Sequence, residues 1–338
     1  VNGSYVGTGS RTLNLPTLAQ DIRVSLDGYV SQSQSIVPSR ATDQVLAFSL
    51  LTKAEHYWAN IPARYTNSVG NTMLLFKAPG VVHMGSSRRE PGRRSNEVEF
   101  RAELTRPLFV STTETSNDPS RRFKSPHSSG NYKRKSLDSG DYPVVNVSWQ
   151  EAALYCNWLS EQEGLTPFYT TKAGFVSGHQ PKANGYRLLS EAEWTWLATD
   201  NKGQRQMYGW GDATVPPIKS RFANVADEQA RDLVKFLVQE YDDGYAAAAP
   251  VARYPANSKG LFDMDGNVSE WLHDWYTATP DASDKRDPLG PEIGEYHVVK
   301  GPSWARGYLP QLRLAYRDFG AKGKYEIGFR VARYADPS

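Results

Sequence analysis

A single cysteine, Cys156, stands among 338 residues. It excludes an internal disulfide, a CxxC zinc site and an iron–sulfur cluster. The shortage does not fix the compartment, because many periplasmic proteins lack disulfides too. Long apolar runs are also missing: none approaches the roughly 18 residues that a membrane-spanning helix needs. Nor is there a surplus of one charge. With 39 Lys+Arg against 37 Asp+Glu, the chain as a whole exerts little pull on nucleic acid, and no nucleic-acid partner is expected. GxSxG, P-loop and GxGxxG elements are absent. The six histidines (His56, His83, His127, His179, His273 and His297) are not paired at a metal-ligand spacing such as HxxxH. The chain begins at Val1 and not at Met. Membrane contact is therefore expected only through an anchor ahead of Val1, with a periplasmic or other extracytoplasmic location.

Aromatic side chains are plentiful instead. They make up 12% of the chain, and eight of the nine tryptophans fall between Trp149 and Trp304. Such rings fill space beneath long loops in irregular α+β domains. The 39% apolar and 22% charged fractions are those of a globular protein. At about 150 residues per domain, the length fits one large domain or two unequal ones.

Residues 1–51 read as a small all-β module. Strands are expected around the Asn2-Gly3 turn, over Ile22, Val24 and Leu26, and over residues 45–50, with Asp27-Gly28 as a second turn. This resembles a PEGA domain, a short β module usually found outside the cytoplasm. Residues 52–71 read as a linker, and a large domain is expected over 72–338. Strands are expected over Met73-Leu74-Leu75-Phe76, Val81-Val82-His83-Met84 and Leu108-Phe109-Val110-Ser111. Ser148 with Glu151, and Ser190 with Glu193, are capping boxes, predicting helices over about 149–162 and 191–199. Cys156 lies on the apolar face of the first, as a buried small hydrophobe. A third helix is expected over 228–240 and a short one over 268–275, with strands near 296–300 and 328–333.

Eight stretches, in order, resemble the formylglycine-generating enzyme, or sulfatase-modifying factor, family. They are Gly80-Val81-Val82-His83-Met84-Gly85-Ser86; Glu114-Thr115-Ser116-Asn117; Pro143-Val144-Val145-Asn146-Val147-Ser148-Trp149 with Tyr155-Cys156-Asn157-Trp158-Leu159; Gly185-Tyr186-Arg187-Leu188-Leu189-Ser190-Glu191-Ala192-Glu193-Trp194; Tyr208-Gly209-Trp210-Gly211-Asp212; Gly260-Leu261-Phe262-Asp263-Met264-Asp265-Gly266-Asn267-Val268-Ser269-Glu270-Trp271; Gly301-Pro302-Ser303-Trp304; and Gly328-Phe329-Arg330-Val331. The resemblance implies an elaborated C-type-lectin-like α+β fold. It also implies structural calcium, held in one place by the side chains of Asp263 and Glu270 with the carbonyls of Gly266 and Val268. In the other, the ligands are the side chains of Asn224 and Asp243 with the carbonyls of Val225 and Tyr245. Calcium suits such a mixture of carboxylate, amide and carbonyl oxygens. From the residues alone, an Asx-turn with a glutamate at a helix N-terminus, and no metal, is the better fit to the 263–270 segment.

Catalytic members of that family hold copper with two cysteines, the first of them three residues after the serine of the Gly-Gly-Ser-aromatic turn. Here the turn is Gly301-Pro302-Ser303-Trp304, the third residue on is Arg306, and Pro310-Gln311 stands where the second cysteine would be. No copper and no catalytic cysteine are therefore expected. The candidate groove residues become Ser303, Trp304, Arg306, Arg313 and Arg317, with bracing of loops as the other reading of the arginines and of Arg330. His273-Asp274 reads as an exposed lone histidine before it reads as a base with its orienting acid. Residues 86–135 carry 12 Lys+Arg and six acids, either solvated loops or a face for an anionic partner. The expected function is a non-catalytic binding or regulatory protein of the bacterial envelope with a protein or peptide partner. Two alternatives stand beside it: a cysteine-independent oxidoreductase of the siderophore-maturation type, and a lectin-like variable display protein.

Overall fold

Ile22 and Val24 alternate with Arg23 in β1 (Gln20–Val24), which pairs antiparallel with β2 (Gln32–Ile36) through the Asp27-Gly28 turn. The computed structural model describes residues 1–77, 79–199 and 205–336, and divides the chain into units Val1–Pro62 and Ala63–Asp336. In the first unit, the segments at 1–7 and 45–50, expected as strands, are irregular. Among its described residues only Gln20 is buried, and Val45 is 91% exposed. Without a core face to cover, alternation in these segments has no packing to enforce it. The expected linker is also structured. Thr52-Lys53-Ala54-Glu55 is a third capping box: Thr52 N–H donates to Glu55 Oε2 at 2.8 Å and Glu55 N–H donates to Thr52 Oγ1 at 3.1 Å, starting α1 (Lys53–Asn60). The same Thr-x-x-Glu signal is readable in the sequence.

The second unit begins with β3 (Arg64–Thr66), which pairs with β4 (Thr72–Phe76). Then come β5 (Gly80–Met84), β6 (Phe100–Leu104), β7 (Leu108–Ser111), α2 (Asn117–Phe123) and the hairpin of β8 (Asn131–Tyr132) with β9 (Lys135–Ser136). Helix α3 (Trp149–Gln162) and α4 (Glu191–Ala198) start on the expected Ser148 and Ser190 boxes. Between them lie β10 (Tyr169–Lys172), β11 (Phe175–His179) and β12 (Tyr186–Leu188). A long irregular stretch leads to β13 (Ser269–Trp275), β14 (Lys285–Arg286), β15 (His297–Lys300), β16 (Asp318–Gly320), β17 (Ile327–Gly328) and β18 (Val331–Tyr334).

Three sheets carry this unit. An antiparallel one runs β12-β18-β7-β4-β3; a second runs β16-β15-β13-β17 with β13 and β17 parallel; a third runs β14-β6-β5 with β14 and β6 parallel. Leu108, Val110, Leu189, Trp194, Leu261, Met264, Leu272 and Val298 form one buried core, and Trp304 packs with Leu137, Val145 and Val268 in another. The tryptophan excess is spent on such packing. The His297 ring lies between Trp149, 3.5 Å away by ring centroid, and Trp275, at 3.7 Å.

Two expected helices are absent. Residues 268–275 form strand β13, buried along nearly its whole length. A strand covered on both faces shows no period-2 alternation, so its apolar spacing imitates a helix. In 228–240 only a 3₁₀ turn forms, Glu228–Ala230, capped by Asp227. The rest is drawn out by tertiary bonds: Glu228 N–H donates to Tyr241 O, Val238 N–H to Ala226 O, and the Tyr132 hydroxyl to Leu233 O.

Candidate functional site

The turn after β15 places Ser303 and Trp304 in the interior, both wholly buried. Trp304 N–H donates to Asn267 O at 2.9 Å, tying the turn to the acidic segment 263–270. Three residues past Ser303, the Arg306 guanidinium is only 6% exposed. Its Nη2 meets Asp318 Oδ2 at 2.7 Å, and Nε lies 3.8 Å from Glu326 Oε2. Arg313 is held by Glu97 through two bonds of 2.7 Å, by Glu90 at 2.7 Å and by Gly92 O at 2.7 Å. Arg317 grips Glu191 at 2.7 and 2.9 Å, and Arg330 grips Glu270 at 2.9 and 3.1 Å.

The ligand-facing reading of Ser303, Trp304, Arg306 and Arg313 is thus corrected. These side chains brace the interior, and each guanidinium has acids as partners because a buried charge must be paired. Arg317 lines a cleft, and its nitrogens are taken by Glu191, Asn96 O and Thr277 O. Much of the basic surplus at 86–135 is engaged as well: Arg106 with Asp336, Arg121 with Asp138 at 2.9 Å and Arg93 with Ser86 O at 2.9 Å.

His273 and Asp274 are buried, at 6% and 5% exposure, not exposed as expected. Successive residues of β13 face opposite ways. His273 Nδ1 lies 3.3 Å from the Tyr169 hydroxyl and its ring stands 4.7 Å from that of His179. Asp274 Oδ2 instead accepts from Glu191 N–H at 2.8 Å. They are not a base and its orienter. Burial, then His179, holds the His273 imidazole well below its usual range. The His179–His273 contact left no signal in the sequence, since 94 residues separate them.

The two acidic segments come together. Asn267 N–H donates to Asn224 O at 2.7 Å, and Asn224 Nδ2 donates to Asn267 Oδ1 at 3.2 Å and Ala247 O at 2.9 Å. Asn224 Oδ1 is buried and has no hydrogen-bond partner; the same holds for Asp263 Oδ1 and Asp265 Oδ1. Asp243 accepts from Val225 N–H at 3.1 Å and Tyr245 N–H at 2.8 Å. Among the described residues no ion pair reaches Asp243, and burial followed by Asp227 pushes its carboxyl up to about 8. Glu270 differs: Arg330 holds Oε1 and Trp194 Nε1 donates to Oε2 at 3.0 Å. Glu114, buried beside Asp263, is pushed well above the carboxylate range by burial first and Asp263 second. Sequence reasoning missed Glu114, Asp227 and Asp265 as members of this acidic cluster.

The orphaned buried oxygen on Asn224, with a buried acid on Asp243 that no ion pair reaches among the described residues, fits a hard cation such as calcium, whereas Asp263 shares a hydrogen bond with Glu114. Around Asn224 the fit is closer, because the Glu270 carboxylate already has a positive partner. The close approach of the two segments needs Gly266, where a Cβ would sit 2.4 Å from Asn224 O. Gly266→Ala is expected to lower stability by roughly 1–3 kcal/mol by overpacking. An unchanged urea midpoint would show that the approach is not required.

The sulfatase-modifying factor enzyme 1-like domain family matches residues 64–335. The formylglycine-generating enzyme of Thermomonospora curvata is 31% identical over 228 residues, 65% of this chain and 63% of that enzyme. That of Bos taurus is 29% identical over 200 residues, 58% of this chain and 45% of the enzyme. The chain thus spans about half the length of these relatives. Among solved structures, Treponema denticola variable protein 1 superposes with a TM-score of 0.63 at 23% identity, covering 81% of this chain and 99% of that one. PvdO from Pseudomonas aeruginosa gives 0.56 at 21% identity, with 81% and 99% covered. These likenesses carry the α+β fold expected from the sequence.

Proposed function

Since this chain belongs to the sulfatase-modifying factor enzyme 1-like family, we propose that it is a non-catalytic, partner-binding member, a scaffold, sensor or accessory activator in the bacterial envelope. One observation carries the reading. Where the resemblance puts the first copper-binding cysteine stands Arg306, its guanidinium buried against Asp318. A soft thiolate pair is what binds Cu(I), whereas a guanidinium is always positive and offers no lone pair to a metal. The second position, Pro310-Gln311, supplies no thiolate either. Nearby, Tyr308 and Phe236 are 51% and 53% exposed with ring centroids 5.4 Å apart. Such an aromatic pair suits a protein or peptide partner.

Calcium enters the same reading as a structural ligand. Asn224 and Asp243, with the Val225 and Tyr245 carbonyls, would hold one ion. Asp263, with the Gly266 and Val268 carbonyls, would hold another, and Glu270 would have to share its charge with Arg330. The ion would neutralise buried oxygens and join loops that have few regular hydrogen bonds.

The test is turnover and copper together. Incubated with Cu(I), oxygen and a cysteine-containing peptide, the protein is expected to bind copper below stoichiometry and to leave the peptide mass unchanged. Conversion of the peptide cysteine to an aldehyde would overturn the non-catalytic reading.

A further inference from the structure

The last cations of the basic stretch 86–135 are not engaged by acids. Lys133, Arg134 and Lys135 form the tip of the β8–β9 hairpin and are exposed. Among the described residues no ion pair reaches any of them. Tyr132 and Lys135 are cross-strand partners, so their side chains leave the same side of the hairpin. On that side the Tyr132 ring lies against Tyr325, 4.0 Å away by ring centroid, and meets Trp304 at 5.2 Å.

The 231–237 segment adjoins the hairpin tip. Lys133 Nζ donates to Asp232 O and, at 3.1 Å, to Leu233 O. Leu233, Val234 and Ala305, with Tyr132 and Tyr325, are half-buried against the core that holds Trp304. Further along, Lys235 is exposed, its Nζ 5.3 Å from the centroid of the Phe236 ring that pairs with Tyr308. A Cβ on Gly307 would lie 2.5 Å from Phe236 O, so the segment is seated directly on the turn that carries Arg306.

These contacts put half-buried rings and exposed cations on one face. Lys235, like the hairpin tip, has no ion pair among the described residues, and Arg231 is paired with Glu228. Within 131–137 and 231–237 the one acid is Asp232. Unpaired positive charge around half-buried rings is the complement of an acidic chain that also brings an apolar side chain. A bare inorganic anion would leave the rings unused. A nucleic acid gains little from a chain whose total charge is only +2. Phe236 and Tyr308 offer room for one or two side chains, short of the continuous apolar face that lodges in a bilayer.

We propose that this face binds an acidic peptide segment. Its carboxylates pair with Lys135, Lys235 and the hairpin tip, and its apolar side chain packs on the rings between them. The proposal rests on the partner-binding reading above and names the chemistry of the partner.

Binding of three ligands to the full chain tests it. One is a short fluorescein-labelled peptide of glutamates flanking a leucine and a tryptophan. The second has glutamine in place of every glutamate, and the third is a vesicle of phosphatidylserine and phosphatidylcholine. At low salt the acidic peptide is expected to bind roughly tenfold more tightly than its glutamine counterpart. That margin is expected to vanish at about 0.5 M NaCl, where charges are screened over a few ångström. Lys135→Glu with Lys235→Glu is expected to abolish the margin, and Phe236→Ala to weaken both peptides alike. Equal affinity for the two peptides, binding of neither, or a margin unchanged in the double variant overturns the proposal. So does tighter binding of the vesicles than of the acidic peptide. Should the double variant fail to fold, the two peptides and the salt dependence in the wild type decide alone. None of these outcomes touches the non-catalytic reading, which is decided by the copper and aldehyde assay.

Discussion

Replacing Arg330 by methionine is expected to lower folding stability by about 3–5 kcal/mol, the largest loss of any single substitution considered. The Arg330 side chain is 1% exposed and donates to Glu270, to Ser111 O at 3.1 Å and to Phe262 O at 2.7 Å. Its removal strands Glu270 beside two more buried acids, Glu114 and Asp263, and frees two carbonyls. An uncompensated buried charge is what makes breaking such a pair costly, far more than the pair itself contributes. Arg330→Lys is expected to lose part of this, since an ammonium keeps the charge but not the planar fork. Adding Glu270→Gln to Arg330→Met removes one stranded charge, so the double variant is expected to lose less than the sum of the singles. Urea midpoints of the four proteins measure this. Additive losses would show that Arg330 and Glu270 are not coupled.

Chelation is expected to give the second largest effect. If calcium occupies the Asn224–Asp243 site at about 1,000 times its dissociation constant, it stabilises the fold by about 4 kcal/mol, and a chelator removes this. For a unit of this size the loss corresponds to roughly 8–16 °C in Tm. Asp243→Asn separates the ion from general effects. In chelator the variant is expected to melt somewhat below the wild type, because its one amide oxygen cannot accept from both the Val225 and the Tyr245 N–H groups that the Asp243 carboxyl holds. In calcium it is expected to gain much less than the wild type. A melting temperature indifferent to chelator and calcium would end the calcium reading. An unchanged calcium response in Asp243→Asn would move the ion to the Asp263 segment.

Much of this was legible in local sequence. The Ser148 and Ser190 boxes fix where α3 and α4 begin, because a cap, its partner glutamate and the helix lie within four residues. The Thr52 box marks the start of α1 in the same way. Cys156 sits where helical spacing puts it, on the buried face of α3. Strand β13 could not be read, because burial on both faces removes the alternation that marks a strand. The arginines show the same limit. The residue type says that Arg306, Arg313, Arg317 and Arg330 are charged, but their partners are separated from them by 12 to 223 residues.

The sequence by itself determined that two copper-binding thiolates cannot be present, because a lone cysteine cannot make a pair, whatever the fold. It also determined the family, through eight ordered motifs whose spacing does not depend on seeing the packing. Tertiary structure decided what the remaining polar groups do. It turned the supposed groove arginines into buried braces and brought Asn224 against Asn267. Those outcomes depend on which segments meet across the interior, where desolvation requires every charge to find a partner and exposes those that have none.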